Sequence, residues 1–481
     1  MVLLLLIILP LLFGGLCFLF KNDAAKTVAF IGALLTLAVA GYLSYTSTTE
    51  PIFFSMQWLR PLGAELSVLG DGMSLMLSLL VAVIMPVIFI SHWNKPVERP
   101  HAYYGLMLLS QAGITGVFLA SDALLFYFFW ELALIPVYFL CSQWGGEKRI
   151  KVTYKFFVYT FVGSLMMLAA IIFLANQSLT GNPYAWENIV TAGATLSPAT
   201  QQWLFWLIFI AFAIKMPVFP FHTWQPDTYE QSSTPVTIIL SALMVKMGIY
   251  GVIRWLMPVL PDAVSFWGDT VIILSIIGIV YASLLALVQT DLKRLVAYSS
   301  IAHMGLMCAA AFAQTQVGMH GLMVQMFNHG INIAGMWLIV SMIENRYGTR
   351  DMRELGGMAT TAPQMSIALL ILAFANIGLP LTNGFIGEFM LFNGIFQSAS
   401  DYNISFMVIA GLGIIFGAIY TLSMVQKTAF GNAVAMRNGA KDMTLNESIA
   451  MALIVAMVIF LGVYPKPLLE FTEWTVMKMM P

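Results

Sequence analysis

Charged residues are scarce in this chain. Asp, Glu, Lys and Arg make up 9% of its 481 residues, whereas 60% are hydrophobic, and the mean hydropathy is +0.86. A water-soluble domain does not contain so much apolar surface. The composition therefore excludes an ordinary soluble enzyme and predicts an all-α polytopic membrane protein.

Cysteine is also rare. Cys17, Cys141 and Cys308 are scattered, with no CxxC pair and no iron–sulfur spacing. The glycines of AGLGIIFGA lie inside an apolar run and not in a strand–turn–helix unit, so they indicate close helix packing and not a dinucleotide site. We therefore expect no metal, cofactor or redox centre on this chain, and no nucleic acid partner.

Long apolar runs dominate what is present. A membrane-spanning helix needs about 20 mostly apolar residues, and this length predicts about fourteen transmembrane helices, the twelfth overlong and interrupted. They lie near residues 2–20, 27–45, 72–91, 104–119, 123–141, 156–176, 203–221, 236–257, 271–289, 295–312, 318–343, 365–396, 404–425 and 449–463.

Lysine and arginine are distributed unevenly between the connections. Cytoplasmic loops are enriched in these residues. Sixteen of them fall in odd-numbered connections, whereas the even-numbered connections, the adjoining helix ends and the C-terminal tail hold only Arg60, Arg254, Lys466 and Lys478. The chain is predicted to span a bacterial cytoplasmic (inner) membrane with both termini on the non-cytoplasmic side. No basic residue precedes the first segment, which is therefore predicted to be a retained helix.

Four charged residues fall deep inside predicted spans: Glu131, Lys215, Lys246 and Glu388. A charge at a helix end can extend to the headgroups, but Glu131 and Lys246 lie well within their segments. A charge at the bilayer centre costs roughly 3 kcal/mol, so such residues usually face a partner or a polar cavity and serve a function.

Two spans are interrupted by helix-breaking residues. IAFAIKMPVFPFHTW in the seventh contains two prolines, and ANIGLPLTNGFIGEF in the twelfth contains Pro380 and three glycines. Interrupted helices at corresponding places in two halves indicate a transport site between inverted repeats, although Pro and Gly are also generally common in membrane helices. The predicted division is a three-helix segment (1–101), a five-helix repeat (102–258), a second, inverted repeat (259–428), and helix 14 with the tail (429–481).

Several motifs carry a resemblance to a known family. FFWELALIP, KMPVFPFHTWQPD, LVAYSSIAHMG, MFNHGINIAGMW and LPLTNGFIGEFMLF resemble, in this order, the antiporter-like membrane subunits of proton-pumping NADH:quinone oxidoreductase, respiratory complex I. The likeness runs from about residue 71 to 462 and is strongest to the chain called M, or chain 4. That chain has a glutamate in the broken twelfth helix, as Glu388 here, where its sister chains usually have lysine.

The resemblance implies a polar axis along the membrane midplane. It pairs Glu131 with Lys215 and continues through Lys246, His303 and His329 to Glu388. It also implies partners, namely the other membrane subunits and especially the sister chains L and N, with FMN, iron–sulfur clusters and quinone on partner subunits. The chain departs from the family pattern between residues 225 and 235, so the role of that loop stays open.

Elementary electrostatics gives Glu131 a role beside this resemblance. A lysine removed from water loses proton affinity, and a nearby carboxylate restores it, so movement of Glu131 would load or unload Lys215. Two alternatives stay open for His303 and His329: hydrogen bonding between helices and ligation of a haem. The alternative function is a subunit of a multisubunit Na⁺/H⁺ antiporter or of a membrane-bound hydrogenase.

Overall fold

The structure is a computed structural model that describes residues 1–46, 50–178, 181–437 and 440–479. Its first half contains α1 (Val2–Cys17), α2 (Ala24–Thr46), α3 (Gly72–Ser91), α4 (Pro100–Leu119), α5 (Ala123–Gln143), α6 (Arg149–Gln177), α7 (Trp186–Ala194), α8 (Pro198–Lys215), α9 (Gln225–Gln231), α10 (Thr234–Ile238) and α11 (Val245–Gly251). The π-helical segment Ile239–Met244 joins α10 to α11, and a second one, Val252–Leu256, extends α11, so that Thr234–Leu256 is one continuous helix.

The second half contains nine further helices in the described residues: α12 (Pro261–Val288), α13 (Leu292–Phe312), α14 (Gln316–Tyr347), α15 (Met358–Thr361), α16 (Pro363–Asn376), α17 (Asn383–Phe396), α18 (Asn403–Ala429), α19 (Leu445–Val463) and α20 (Lys466–Met479). Within the described chain, eleven helices, counting Thr234–Leu256 as one, are long and apolar enough to cross a membrane, and α1 and α16 are shorter apolar helices. The predicted class, a helical polytopic membrane protein, is confirmed.

A two-stranded antiparallel hairpin joins α2 to α3. Strand β1 (Ile52–Leu59) pairs with β2 (Ala64–Gly70), so that Ser55 lies opposite Ser67. A 3-10 turn at Arg60–Leu62 connects the strands and ends at Gly63, whose φ of +72° favours glycine. The apolar pattern of the sequence did not predict this hairpin, because polar residues interrupt its two strands.

The hairpin marks one end of the helix bundle. Val68 bridges Ala120 after α4, and Asp122 before α5 bridges Ala185 before α7. The backbone of Gly72 donates to Thr475 of α20 at 3.0 Å, so the C-terminal helix lies there as well. We call this end the hairpin face.

An ion-pair network occupies the opposite end, which we call the ion-pair face. Glu230 of α9 pairs with Arg294 at 2.9 Å and with Arg350 at 3.1 Å. Asp227, also in α9, pairs with Arg294 at 3.3 Å and with Lys155 at 3.0 Å. These pairs hold the short helix α9, which includes most of the atypical loop, against α6 and α13.

Buried helices form the centre of the bundle, and the polar residues meet there. Both α14 and the helix over Thr234–Leu256 are apolar and buried on all sides, whereas α6 and α18 expose apolar side chains, as lipid-facing helices do. Small residues allow close approach: a Cβ on Gly248 would lie 2.7 Å from the backbone nitrogen of Met216. This contact brings the helix that carries Lys246 against the break after α8.

Candidate functional site

Lys215 is the last residue of α8, where the helix ends in the bundle interior. Its side chain is buried (1% exposed), and its Nζ has no hydrogen-bond partner. The Nζ lies 5.2 Å from the centroid of the Trp130 ring, a cation–π distance. The C-terminal end of a helix also favours a positive charge. The break predicted from Pro217 and Pro220 therefore leaves an ammonium group stabilised by a ring and a helix end.

Glu131 of α5 is half-buried and follows Trp130 directly in the chain. Its Oε1 is enclosed without a hydrogen-bond partner, and its charge acts on Lys215. Both residues belong to the described chain, and the structure shows no direct ion pair between them. The predicted partners are thus near neighbours with the Trp130 ring beside the ammonium, and not a closed salt bridge.

Lys246 lies just beyond the π-helical segment Ile239–Met244, and its side chain is fully buried. Its Nζ lies 3.0 Å from the backbone oxygen of Ser241 and 2.7 Å from Nδ1 of His329 on α14. A protonated Lys246 donates to both atoms, which requires a neutral His329 with its proton on Nε2. The short π turn is typical of functional sites in helices.

The series continues from His329 to Glu388. The ring centroids of His329 and His303 are 5.5 Å apart, and Nδ1 of His303 lies 3.2 Å from Oε1 of Glu388. The Nε2 atoms of both histidines are buried without a partner. Lys246, His329, His303 and Glu388 therefore form one uninterrupted series of neighbours, contributed by the helix Thr234–Leu256 and by α14, α13 and α17.

Glu388 lies beside the break between α16 and α17. A Cβ on Gly378, whose φ is +66°, would lie 2.6 Å from Oε2 of Glu388, so glycine provides both the turn and the space for the carboxylate. A cavity of about 30 Å³ adjoins Glu388 and is lined also by His303, Asn376 and Tyr420. It has room for one or two water molecules. A haem needs a pocket of roughly 300 Å³ or more, so this space does not fit one.

Buried amides around the second break were missed by the sequence analysis. Gln325, Asn328 and Asn332 lie three and four residues apart on α14. The Nδ2 of Asn328 donates to the backbone oxygen of Asn383 at 2.7 Å, and that of Asn332 to the backbone oxygen of Ala375 at 3.4 Å. All three amide oxygens are buried without a partner. Their spacing along one helix face, in a span otherwise apolar, was the available signal.

A hydroxyl cluster on the other side of Glu388 was missed as well. Tyr420 donates to Oγ of Ser299 at 3.0 Å, and Nδ2 of Asn376 donates to the same oxygen at 3.1 Å. Ser299 precedes His303 by one turn of α13. The cluster of Tyr420, Asn376 and Ser299 therefore extends the polar groups around Glu388 by one turn of α13 toward the ion-pair face.

Two features limit what these residues can do as they stand. Lys215 and Lys246 share no hydrogen-bond partner, so the described side chains leave a gap between the two lysines. Among the described residues, no group of three His, Cys, Asp or Glu side chains is placed to hold a metal ion. The arrangement suits transfer of protons between buried titratable groups, with water filling the gap.

Comparison with known proteins identifies a family and relatives of this chain. Residues 120–414 match the family model described as NADH:quinone oxidoreductase/Mrp antiporter, TM. The chain is 35% identical to F(420)H(2) dehydrogenase subunit M of Methanosarcina mazei and 34% identical to NADH-quinone oxidoreductase subunit M of Escherichia coli K12. Each match covers 97% of this chain and 95% of the relative.

Among solved structures, a chain of respiratory complex I from Thermus thermophilus with bound NADH superposes with a TM-score of 0.89 at 28% identity, covering 100% of both chains. The match therefore extends over the whole chain and not over one segment only. With its series of buried lysine, histidine and glutamate side chains, this chain belongs to the family of membrane subunits shared by NADH:quinone oxidoreductases and Mrp antiporters.

Proposed function

We propose that this chain is a proton-translocating membrane-arm subunit of an NADH:quinone oxidoreductase. In this proposal it moves H⁺ through the buried series of Lys215, Lys246, His329, His303 and Glu388, and Glu131 controls the first of them. The observation that carries the proposal is the unbroken set of contacts from Lys246 to Glu388, formed by four helices around the second break.

Loading begins at Lys215. A carboxylate that approaches a buried ammonium stabilises its charged form, and one that withdraws destabilises it. Lifting one proton against about 150 mV requires roughly 3.5 kcal/mol, or about three pKa units at 1.36 kcal/mol each. Because Glu131 is near Lys215 without a direct bond to it, a small shift of α5 changes this interaction in either direction.

Relay from Lys246 uses its short contact with His329. When Lys246 gives its proton to Nδ1, the imidazole releases the proton already on its Nε2. The Nε2 atoms of His329 and His303 both lack partners, and one water molecule between the two rings would connect them. His303 then passes a proton to Glu388 across the 3.2 Å contact. Each step moves one proton and no electrons.

The proposal extends to topology and partners. We place all fourteen predicted spans across a bacterial cytoplasmic membrane, with the hairpin face on the non-cytoplasmic side, because the ion-pair face holds most of the basic residues. The five-helix units 102–258 and 259–428 act as inverted repeats with one break each. The neighbouring partners are the sister chains L and N, and FMN, iron–sulfur clusters and quinone bind to other subunits.

The electron donor does not determine the role of this chain. Its two relatives are named for different complexes, one that oxidises F420H₂ and one that oxidises NADH. Both proteins are called subunit M and match over almost their whole length. Proton translocation is therefore the function that fits a chain common to both, and NADH is the donor that we propose for the complex.

The alternative is a subunit of a sodium/proton antiporter, a class that the family description also includes. It would exchange ions without coupling to electron transfer. The midplane series contains histidines and an ammonium group as well as one terminal carboxylate, and imidazole and ammonium carry protons but do not bind Na⁺. This donor set favours H⁺ as the transported ion.

The test compares wild type with Glu131→Gln in inverted membrane vesicles. NADH-driven proton uptake and NADH:quinone electron transfer are measured side by side, first without Na⁺ and then with Na⁺ added, and Glu147→Gln at an exposed position is the matched control. We expect both rates to fall together in the Glu131 variant, in a complex that still assembles. Unchanged rates, or a rate that depends on Na⁺, would refute the proposal.

A further inference from the structure

A second polar series leaves Lys246 toward the hairpin face. Tyr250 follows Lys246 by one turn of α11, and Arg254 follows Tyr250 within the π-helical segment Val252–Leu256. The guanidinium carbon of Arg254 lies 5.7 Å from the centroid of the Tyr250 ring. All three side chains are buried. Charged and hydroxyl groups thus mark the route from the centre of the axis to the surface of the molecule.

Asp71 closes this series. It caps α3, accepting a hydrogen bond from the backbone of Ser74 at 2.9 Å, and its other oxygen accepts from Nη2 of Arg254. The side chains of Asp71 and Arg254 are 5% and 7% exposed. The hydroxyl of Tyr250 donates to the backbone oxygen of Phe118 at 2.8 Å and lies 3.5 Å from Oγ of Ser74. The Tyr250 hydroxyl is therefore already adjacent to the first turn of α3.

A large cavity lies directly beside the Asp71–Arg254 pair. It measures about 450 Å³, and both Asp71 and Arg254 line it. The rest of its wall includes Trp186, the start of α12 and the C-terminal helix α20. We call this cavity the vestibule. The Nε of Arg254 is buried without a hydrogen-bond partner, so one donor of this guanidinium forms no hydrogen bond.

We propose that the Asp71–Arg254 pair gates a proton outlet separate from the series that ends at Glu388. This second outlet runs from Lys246 past Tyr250 to the vestibule on the hairpin face. This inference rests on the proposed function, because it needs Lys246 to carry protons. It assigns two further residues to the translocation path, on the side of Lys246 away from Ser241: Asp71 carries the proton, and Arg254 controls its passage.

The pair is closed in this structure, and electrostatics explains why it then blocks protons. Burial raises the pKa of the Asp71 carboxyl, but the charge and hydrogen bond of Arg254, together with hydrogen bonding from Ser74, more than offset this, so the pKa lies below its usual value. A closed Asp71 therefore does not retain a proton, and the guanidinium charge repels an arriving one. Tyr250 meanwhile directs its hydrogen to a backbone carbonyl, which cannot pass a proton onward.

Opening requires that Arg254 turn into the vestibule, which has ample volume for a guanidinium, and that the Lys246 ammonium leave Ser241 and turn toward Tyr250. Lys246 then gives one proton to water beside Tyr250, Asp71 takes one proton from the Tyr250–Ser74 side, and Asp71 releases it to water in the vestibule. One proton crosses and no electron moves. When Arg254 returns to Asp71, the outlet closes, which prevents the proton gradient from collapsing through the same route.

The test measures passive proton leak in vesicles that contain the assembled complex, with an imposed membrane potential and no NADH. Arg254→Met removes the gate, and we expect the leak to rise at least about tenfold, the effect of about 1.4 kcal/mol on a barrier. The added leak must vanish in the double variant with Lys246→Met and persist in the double variant with Glu388→Gln. Arg254→Lys keeps the charge and should remain tight. The proposal is overturned if an assembled Arg254→Met complex leaks protons no faster than wild type. It is also overturned if the added leak persists when Lys246 is replaced as well.

If Arg254→Met does not assemble, a second set of variants decides the question. Asparagine caps helices as well as aspartate does, so Asp71→Asn keeps the start of α3 and removes the proton acceptor. We expect slower NADH-driven pumping, restored by Asp71→Glu, with no added leak. Asp122→Asn is the matched control, because Asp122 caps α5 in the same manner without an arginine partner. Equal rates in the Asp71 and Asp122 variants overturn the gate.

The outcomes also separate this inference from the proposed function. If Lys246→Met abolishes pumping while Arg254→Met vesicles stay tight, the chain translocates protons and the second outlet is wrong. If Lys246→Met pumps normally, the proposed function itself fails.

Discussion

Replacing Lys246 with methionine separates stability from proton transfer. The ammonium makes two hydrogen bonds, to Ser241 and His329, and bonds to a charged group contribute about 1.5–3 kcal/mol each. The desolvation of a fully buried cation opposes this stabilisation and costs several kcal/mol. The two contributions nearly cancel, so methionine, which has a similar volume and no charge, should leave the folded chain as stable as before or more so.

Proton transfer should respond differently. A missing acid–base group typically slows a proton-transfer step by about 10²–10⁴-fold, and Lys246 is the first member of the continuous series that leads to Glu388. We expect an assembled complex of normal thermal stability whose NADH-driven proton uptake and electron transfer both fall at least about 100-fold. Inverted vesicles and a thermal unfolding curve in detergent provide both readouts. Lys466→Met, at a lysine whose side chain is 60% exposed, is the control. Normal pumping by an assembled Lys246→Met complex would refute this reasoning.

Three further predictions concern contacts described above. His303→Gln removes the only titratable group between His329 and Glu388 in the series, so proton uptake in vesicle assays should fall by about 10²-fold or more. If uptake by this variant matches wild type, His303 is not on the path. Glu447→Gln leaves the buried guanidinium of Arg346, now bonded at 2.5 Å, without its charge partner, and should destabilise the chain by about 3–5 kcal/mol; replacing both residues by methionine should recover most of this in thermal unfolding, and an additive loss would contradict it. Gly113→Leu places a Cβ 2.4 Å from a backbone nitrogen of α5, so the variant should be retained poorly in membranes and melt at a lower temperature. Gly15→Leu, at a site where a Cβ would meet no atom of another described segment within 4 Å, should have neither effect.

The sequence predicted the helical class and the buried charges because both depend on local properties. A run of apolar residues defines a span without reference to other segments, and a lysine such as Lys246 stands out within it. The breaks after Lys215 and before Glu388 were visible for the same reason, since Pro and Gly act on their own helix.

The contacts between helices were not predictable from one sequence. Nothing local to His329 shows that its Nδ1 meets Lys246, and nothing local to Asp71 shows that it meets Arg254, 183 positions later. Arg254 was counted only as a charge near a helix end. The amides of α14 were overlooked because asparagine and glutamine carry no charge, although their spacing along one face was visible.

The structure adds a detail to the expected pair of Glu131 and Lys215. The resemblance implied a pair of Glu131 and Lys215, and the structure places the two near each other with the ammonium over the Trp130 ring instead of in a direct bond. In the sequence, Trp130 beside Glu131 on a predicted helix indicates only ordinary packing. Its position over the ammonium depends on how α5 meets the end of α8, which only the folded chain reveals.

The central claim is that protons pass along the contacts from Lys246 to Glu388, and Glu388→Gln tests it most directly. Glutamine keeps the shape of the side chain beside Gly378 and loses the ability to take a proton from His303. In inverted vesicles with an assembled complex, we predict that NADH-driven proton uptake and NADH:quinone electron transfer both fall sharply and together. If both rates match wild type, Glu388 is only a packing residue of the break, and the series is not the proton path.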